Sequence, residues 1–138
     1  MTPEALLQSV YLGDRGCKAL LIDSRRKRVA FQIDVISRLK PGTTTWNFHT
    51  ADDIPDGWLV FTEARRLVLE PPGPLPNDLI NEVAVRTLES SSERPVYLFT
   101  LSIGSVDDRG HSTEIIVQVE CNGFHLEDPS RPGTAILD

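Results

Sequence analysis

A run of four basic residues, from Arg25 to Arg28, is the most concentrated positive charge in this 138-residue chain. Four cations at the tip of a turn could contact an acidic protein or a nucleic-acid backbone. No aromatic residue is interleaved with them, so the run lacks the stacking surface typical of single-strand-binding proteins. We therefore select Arg25, Arg26 and Arg28 as candidate binding residues, with a solvated turn as the alternative.

The segment 51–57 carries the opposite charge. Asp52, Asp53 and Asp56 lie in it, and Trp46 and Trp58 lie on either side. Aromatic side chains supply large contact areas at protein interfaces, and carboxylates attract a basic partner and accelerate association. The pattern predicts that Trp46 and these aspartates bind a basic protein. The alternative is that the tryptophans belong to the core, and it applies most to Trp58, which begins a long apolar stretch.

Five further polar residues could form a catalytic or ligand-binding cluster if the fold brought them together. They are Asp14, Arg15, Asn77, Asp78 and Glu114. General acid–base catalysis would need two of these carboxylates in one cavity. Capping of turns and a salt bridge between Asp14 and Arg15 explain the same residues without catalysis.

The other residues capable of chemistry occur outside any catalytic or metal-binding motif. The sequence has no nucleophile elbow, phosphate loop or dinucleotide-binding motif. His49, His111 and His125 do not have the spacing of metal ligands. Neighbouring cations could lower the pKa of Cys17, but a strand cysteine is usually a packing residue. We expect no catalytic residue, no metal and no cofactor, which favours a binding protein over an enzyme.

Composition and charge narrow the classes of function further. The 20 acidic and 14 basic residues give a net charge of −6, with a pI of about 5.0. A uniformly acidic chain repels nucleic-acid backbones, so general nucleic-acid binding is disfavoured. The amino-terminal sequence does not resemble a secretory signal, and no apolar run reaches the about 18 residues that cross a bilayer. We expect a cytoplasmic protein without a membrane partner, in which Cys17 and Cys121 are reduced and buried.

A mainly β fold, α+β in class, must position these residues. An apolar stripe predicts one helix over 2–12, ending before Gly13. Period-2 alternation between turn signals predicts antiparallel strands within a β-rich region at 17–127. The predicted strands are 17–23, 28–38, 45–49, 58–70, 82–89, 95–104, 112–121 and 124–127. Seven or eight strands can form a barrel-like sheet or a sandwich, within one domain over 1–138 whose tail is 128–138.

Three local features refine this prediction. The polar interruption at 62–66 indicates a bulge or bend within a long strand. The segment 78–81 could form one helical turn after a proline-rich loop. Asn122 and Gly123 form the dipeptide typical of a type I′ turn, which predicts a hairpin between the two strands on either side.

Several sequence blocks resemble one family of small uncharacterised bacterial proteins. They are YLGDRGCK at 11–18, LLID at 20–23, LPNDLIN at 75–81, SIGSV at 102–106 and STEIIV at 112–117. The resemblance covers most of the chain. It implies a bacterial, single-domain, cytoplasmic protein, and it brings no activity, cofactor or catalytic residue with it.

Three hypotheses about function follow. The first is a non-catalytic protein-binding module with a basic protein partner, comparable to the immunity proteins of bacterial toxin systems. The second is an enzyme or small-ligand binder with a pocket at one end of the sheet. The third is a structural subunit of a homo-oligomer, paired through an exposed edge strand.

Overall fold

A computed structural model describes residues 1–39, 53–89 and 93–138 of the chain. In chain order its elements are α1 (Pro3–Gln8), β1 (Val10–Tyr11), β2 (Cys17–Asp23), β3 (Arg28–Ile33), β4 (Val35–Arg38), β5 (Ile54–Pro55), β6 (Trp58–Thr62), β7 (Arg66–Glu70), β8 (Ile80–Glu89), β9 (Val96–Val106), β10 (Ser112–Cys121), β11 (Gly123–Glu127) and β12 (Ala135–Ile136). The predicted strand at 45–49 lies outside the described residues.

These strands form three antiparallel sheets. The first has the order β1-β4-β5, the second β7-β10-β9-β8 and the third β12-β11-β6-β3-β2. None of the three closes on itself, so the predicted mainly β fold is confirmed and its arrangement is that of a sandwich rather than a barrel.

The helix is shorter than the predicted span of 2–12. Thr2 caps it by accepting a hydrogen bond from the Ala5 N–H at 3.1 Å, and Ser9 ends it. Val10 and Tyr11 instead pair with Arg38 and Ser37 as strand β1. Val10 and Tyr11 continue the apolar pattern of the helix. Because one is β-branched and the other aromatic, both also favour a strand.

The long predicted strand at 58–70 bends between two sheets. Thr62 lies opposite Gly123 in the five-stranded sheet, and Arg66 lies opposite Glu120 in the four-stranded sheet. Three residues intervene on one strand and two on the other, so the bend contains one extra residue. Glu63 within it has a φ of 48°. The predicted bulge at 62–66 is confirmed, and it is the corner of the sandwich.

The predicted hairpin at Asn122 and Gly123 is wrong. β10 pairs with β7 and β9, whereas β11 pairs with β6 and β12, so the chain passes from one sheet to the other at Asn122. The Asn122 side chain donates a hydrogen bond to the Pro95 carbonyl at 2.8 Å. Both Cys121 and Phe124 are buried. The chain therefore bends at Asn122 and keeps both side chains in the core, instead of reversing direction as the Asn-Gly dipeptide favours.

Two other predicted elements also differ. The segment 28–38 is not one strand, because Asp34 separates β3 in the five-stranded sheet from β4 in the three-stranded sheet. The predicted helical turn at 78–81 is wrong, since Leu79 forms an antiparallel bridge with Gly16 and β8 begins at Ile80. Strand pairing there gives hydrogen-bond partners to backbone N–H and C=O groups that a single helical turn would leave without one.

The core lies between the two larger sheets and contains aromatic rings from both. The Phe61 ring is 4.9 Å from that of Phe99, 5.2 Å from that of Phe124 and 6.1 Å from that of Phe31, between centroids. Edge-to-face and stacked contacts at such distances stabilise a core beyond simple burial. The inward-facing residues of β9 and β10 are all buried: Tyr97, Phe99, Leu101, Ile103, Ile115, Val117, Val119 and Cys121.

Candidate functional site

The outer face of the four-stranded sheet collects carboxylates at one end. Alternation places Ile115, Val117 and Val119 in the core, so Glu114 and Ile116 point outward. Ile116 lies opposite Glu70 on one side and Ser102 on the other, and Ser102 lies opposite Glu82. Residues in register share a face of a sheet. A transverse row of Glu70, Ile116, Ser102 and Glu82 therefore crosses all four strands.

Asp78 and Glu114 extend this row along the sheet. Glu114 lies opposite Gly104. A Cβ atom added to Gly104 would lie 3.1 Å from the Asp78 Cβ, so Asp78 sits directly over that glycine. The Ser102 hydroxyl donates a hydrogen bond to the Glu114 carboxylate. We call Glu70, Asp78, Glu82 and Glu114 the acidic face.

Within the described ranges, no salt bridge involves any carboxylate of the acidic face. The adjacent β9–β10 turn contributes two aspartates and one arginine at 107–109. Arg66 and Arg86 lie at the other end of the sheet, in register with Glu120 and Leu98. The face is thus negative at one end and carries cations at the other, which is the kind of field that orients a charged partner.

The blocks that carry the family resemblance meet beside the acidic face. The Cys17 N–H donates to the Asp78 carbonyl at 2.9 Å, and the Ile80 N–H donates to the Arg15 carbonyl at 2.8 Å. The Asp78 and Leu79 backbones are in turn bonded to Gly104. The first block is therefore tied to the LPNDLIN block, and the LPNDLIN block to the SIGSV block, through main-chain hydrogen bonds.

Of the five polar candidates, the structure brings Asp78 and Glu114 together on the acidic face. The Asn77 amide is used structurally, because it accepts from the Val106 N–H at 2.8 Å and donates to the Val106 carbonyl at 3.0 Å. Arg15 donates to the Ser37 hydroxyl at 2.6 Å. Asp14 is exposed in a turn with a φ of 58°, and no salt bridge joins it to Arg15 in the part of the chain that the structure describes.

The basic run divides into two parts. Arg25 and Arg26 are exposed in the turn after β2, where Arg26 approaches Asp23 at 3.9 Å. The Arg28 side chain leaves the turn and pairs with Glu127 on β11. A shallow cavity of about 210 Å³ lies between this turn and the sandwich corner, lined in part by Lys27, Arg28, Arg65 and Arg66. Part of this positive charge is neutralised, since Arg65 pairs with Glu120 at 3.1 Å.

Glu127 also approaches His125, whose Nε2 is 3.6 Å from the carboxylate. Burial lowers the pKa of His125 from its ordinary value of 6.5, and the nearby Arg28 charge acts in the same direction, against the effect of Glu127. Burial alone would raise the pKa of Glu127, but the Gly133 N–H and the Arg28 guanidinium outweigh it, so that pKa is lowered. Arg28, Glu127 and His125, which we call the half-buried triad, form a structural group on the outer face of the five-stranded sheet.

Of the residues predicted to bind a basic protein around the acidic loop, Trp46 and Asp52 lie outside the described residues. The Asp53 carboxylate accepts a hydrogen bond from the Arg38 N–H at 3.2 Å. Asp56 forms a salt bridge with Lys18 at 2.5 Å. Trp58 is half-buried and lies opposite Gln32 and Glu127, on the outer face and not in the core. Both described aspartates thus have partners within the chain.

The two cysteines are free and buried, as predicted. Burial raises the pKa of Cys17 to about 11 and that of Cys121 to about 12. A thiol with so high a pKa is protonated at neutral pH and is a poor nucleophile. The interpretation of Cys17 as a packing residue therefore holds over that of an activated thiol.

Sequence reasoning missed Glu70, Glu82 and Ser102. Each stands at an outward position of a strand with clear alternation, so its direction was available from the sequence. The pairing of four strands in one register was not, because local alternation does not give the register between β8, β9 and β10, and β7 pairs with β10 out of chain order. The row became visible only with that register.

The described residues contain no cluster of three or more histidine, cysteine, aspartate or glutamate side chains arranged to hold a metal ion. No helix in the described ranges is long and apolar enough to cross a membrane. Comparisons with curated proteins and with solved structures give no match to this chain. The model of DUF6258, a family of unknown function, matches residues 1–138, and the chain therefore belongs to that family.

Proposed function

We propose that this protein is a non-catalytic binding module, and that a basic segment of a partner protein binds across the acidic face. The observation that carries the proposal is the absence, within the described ranges, of any salt bridge to Glu70, Asp78, Glu82 or Glu114 on an open sheet surface. Carboxylates without internal cations are free to attract cations from outside. Such a field gives specificity and a high association rate.

The row across the sheet suggests what the partner carries. Glu70 and Glu82 are on the first and fourth strands of the sheet, so they are about 14 Å apart at the usual strand spacing. Between them Ile116 is 36% exposed and offers an apolar contact. A partner segment with one lysine or arginine on each side of an apolar side chain matches this arrangement. Neutralisation of a basic toxin by an immunity protein is one setting with this chemistry.

Enzymatic function has less support. An active site normally lies in a cavity that shields the reacting groups from water. The acidic face is an open surface, and the cavity between α1 and β8, of about 170 Å³, contains Glu82 in its lining but neither Asp78 nor Glu114. The two free, buried cysteines are consistent with a reducing compartment, so the proposed site of action is the cytoplasm.

The test measures binding of a fluorescein-labelled peptide, KTVTK-amide, by anisotropy at low and at physiological salt; in its extended form the two lysines and the valine lie on one face. Neutralising the face with Glu70→Gln, Glu82→Gln and Glu114→Gln keeps the side-chain shapes and the acceptor for Ser102. We expect this triple variant to raise the Kd at least tenfold at low salt. We also expect a shallower dependence of binding on salt concentration.

The matched control changes the same charge elsewhere, with Glu63→Gln, Glu93→Gln and Asp138→Asn at exposed positions. It should change the Kd less than threefold. Equal weakening by both triple variants would mean that only net charge matters and would overturn the site. Loss of the peptide with Asp53→Asn and Asp56→Asn, but not with the face variant, would move the site to the acidic loop.

A further inference from the structure

Strand β2 is an edge of the five-stranded sheet. Its start is covered, because Cys17 is bonded to Asp78 and Gly16 forms a bridge with Leu79. A register irregularity between Cys17 and Ala19, together with Lys18, interrupts the edge just beyond that point. From Ala19 to Asp23, no strand among the described residues pairs with the outer side of β2.

This open stretch is apolar on both faces. Leu21 is 48% exposed and Ile22 is 55% exposed. Leu20 and Ile22 point to the core side of the sheet, since they lie opposite Phe31 and Val29, and Leu21 points to the outer side. A regular edge with large exposed apolar side chains is a site where another strand can add.

We infer that β2 pairs antiparallel with β2 of a second copy of this chain, about a two-fold axis at Leu21. An isologous antiparallel pair places the axial residue opposite itself and the preceding residue opposite the following one. Leu21 would therefore lie opposite Leu21 of the second copy. Leu20 would lie opposite Ile22 on the other face, so every exposed apolar side chain of the stretch gains an apolar neighbour.

The ends of the open stretch also fit this register. Asp23 lies opposite Ala19 of the second copy and next to its Lys18, so the two-fold axis brings a carboxylate to an ammonium group at each end of the pair, twice per dimer. The pairing ends before the covered start of β2. A second copy is thus favoured over an unrelated strand, which would have to match the apolar side chains on both faces and the charges at both ends.

Sedimentation equilibrium of the full chain tests the inference. We expect a dimer for the wild-type protein and at least a tenfold higher dimer Kd for Leu21→Lys, because like charges then lie opposite each other across the axis. The control Leu75→Lys, at an apolar position that is 72% exposed elsewhere, should leave the dimer Kd unchanged. A monomer at millimolar concentration, or a dimer unaffected by Leu21→Lys, would overturn the proposal.

A second variant keeps the test valid if the lysine impairs folding. Leu21→Cys should form a disulfide between two copies under mild oxidation, since the two side chains face each other at the axis. Leu75→Cys should cross-link far more slowly. The two native thiols are buried and do not compete. Equal cross-linking rates for both variants would also overturn the proposed register.

Discussion

The outer faces of the two large sheets treat charge in opposite ways. On the five-stranded sheet, the half-buried triad joins two strands, β3 and β11, and its His125 and Glu127 side chains are only 13% and 15% exposed. On the four-stranded sheet, the acidic face has no salt bridge within the described ranges. A charge with a fixed internal partner stabilises the fold, whereas a charge without one is available to another molecule. The presence of a salt-bridge partner within the chain therefore distinguishes structural residues from candidate binding residues better than residue type does.

Glu127→Ala tests the structural half of this comparison and has the largest expected effect. It leaves the Arg28 guanidinium and the Gly133 N–H without their acceptor in a partly buried setting. We expect the free energy of unfolding to fall by about 2–3 kcal/mol in urea titrations. Glu82→Ala on the acidic face is the control and should change it by less than about 0.5 kcal/mol. Equal losses would remove the distinction between the two faces.

The pH dependence of stability tests the same triad with a smaller effect. The pKa of His125 is lower in the folded protein than its ordinary 6.5, so the unfolded chain binds more protons between these two values. Stability present above pH 6.5 should be lost as the pH falls through the folded pKa of His125. The lowered pKa of Glu127 acts later, since its contribution is present above 4.5 and is lost on further acidification.

Thermal unfolding between pH 8 and pH 4 measures this profile. His125→Gln should flatten its upper part, because no imidazole then titrates there. The control His111→Gln removes a histidine whose side chain is 76% exposed and should leave the profile as it is. A wild-type profile that is flat between pH 7 and pH 5 would show that the imidazole is not buried as described.

For the acidic face we expect the smallest change in the free energy of unfolding, and a change of opposite sign. Its carboxylates repel one another without internal cations to compensate. The triple variant Glu70→Gln, Glu82→Gln and Glu114→Gln should therefore be more stable than the wild-type protein, by up to about 0.5 kcal/mol at low salt. The gain should vanish at high salt, where the repulsion is screened. Destabilisation by this variant in urea titrations would indicate that the carboxylates have structural partners.

Local alternation predicted much of this fold, because it depends only on neighbouring residues. The strands Cys17–Asp23 and Ser112–Cys121 are predicted to the residue. The hairpin at Asn122 failed because a dipeptide preference was outweighed by the burial of Cys121 and Phe124 in one core. Tertiary packing decides such cases, and it is not encoded within a short window.

The candidate site was less predictable for the same reason. Asp78 and Glu114 were identified by residue type, but their meeting over Gly104 depends on the pairing of β9 and β10 and on the course of the loop before β8. Arg28 belonged to a run of four cations that looked uniform in sequence. Only the position of Glu127, 99 residues away, separates Arg28 from Arg25 and Arg26.

The sandwich corner also bears on how the protein folds and unfolds. β6 with β7, and β10 with β11, are two continuous bent strands that pair with each other on both sides of the corner. Their partners are far apart in sequence, so this pairing closes a long loop and forms only after a substantial loss of chain entropy. Once it has formed, neither sheet can separate from the other without breaking ladders in both. We therefore expect the two sheets to unfold as a single cooperative unit, although their strand orders are separate.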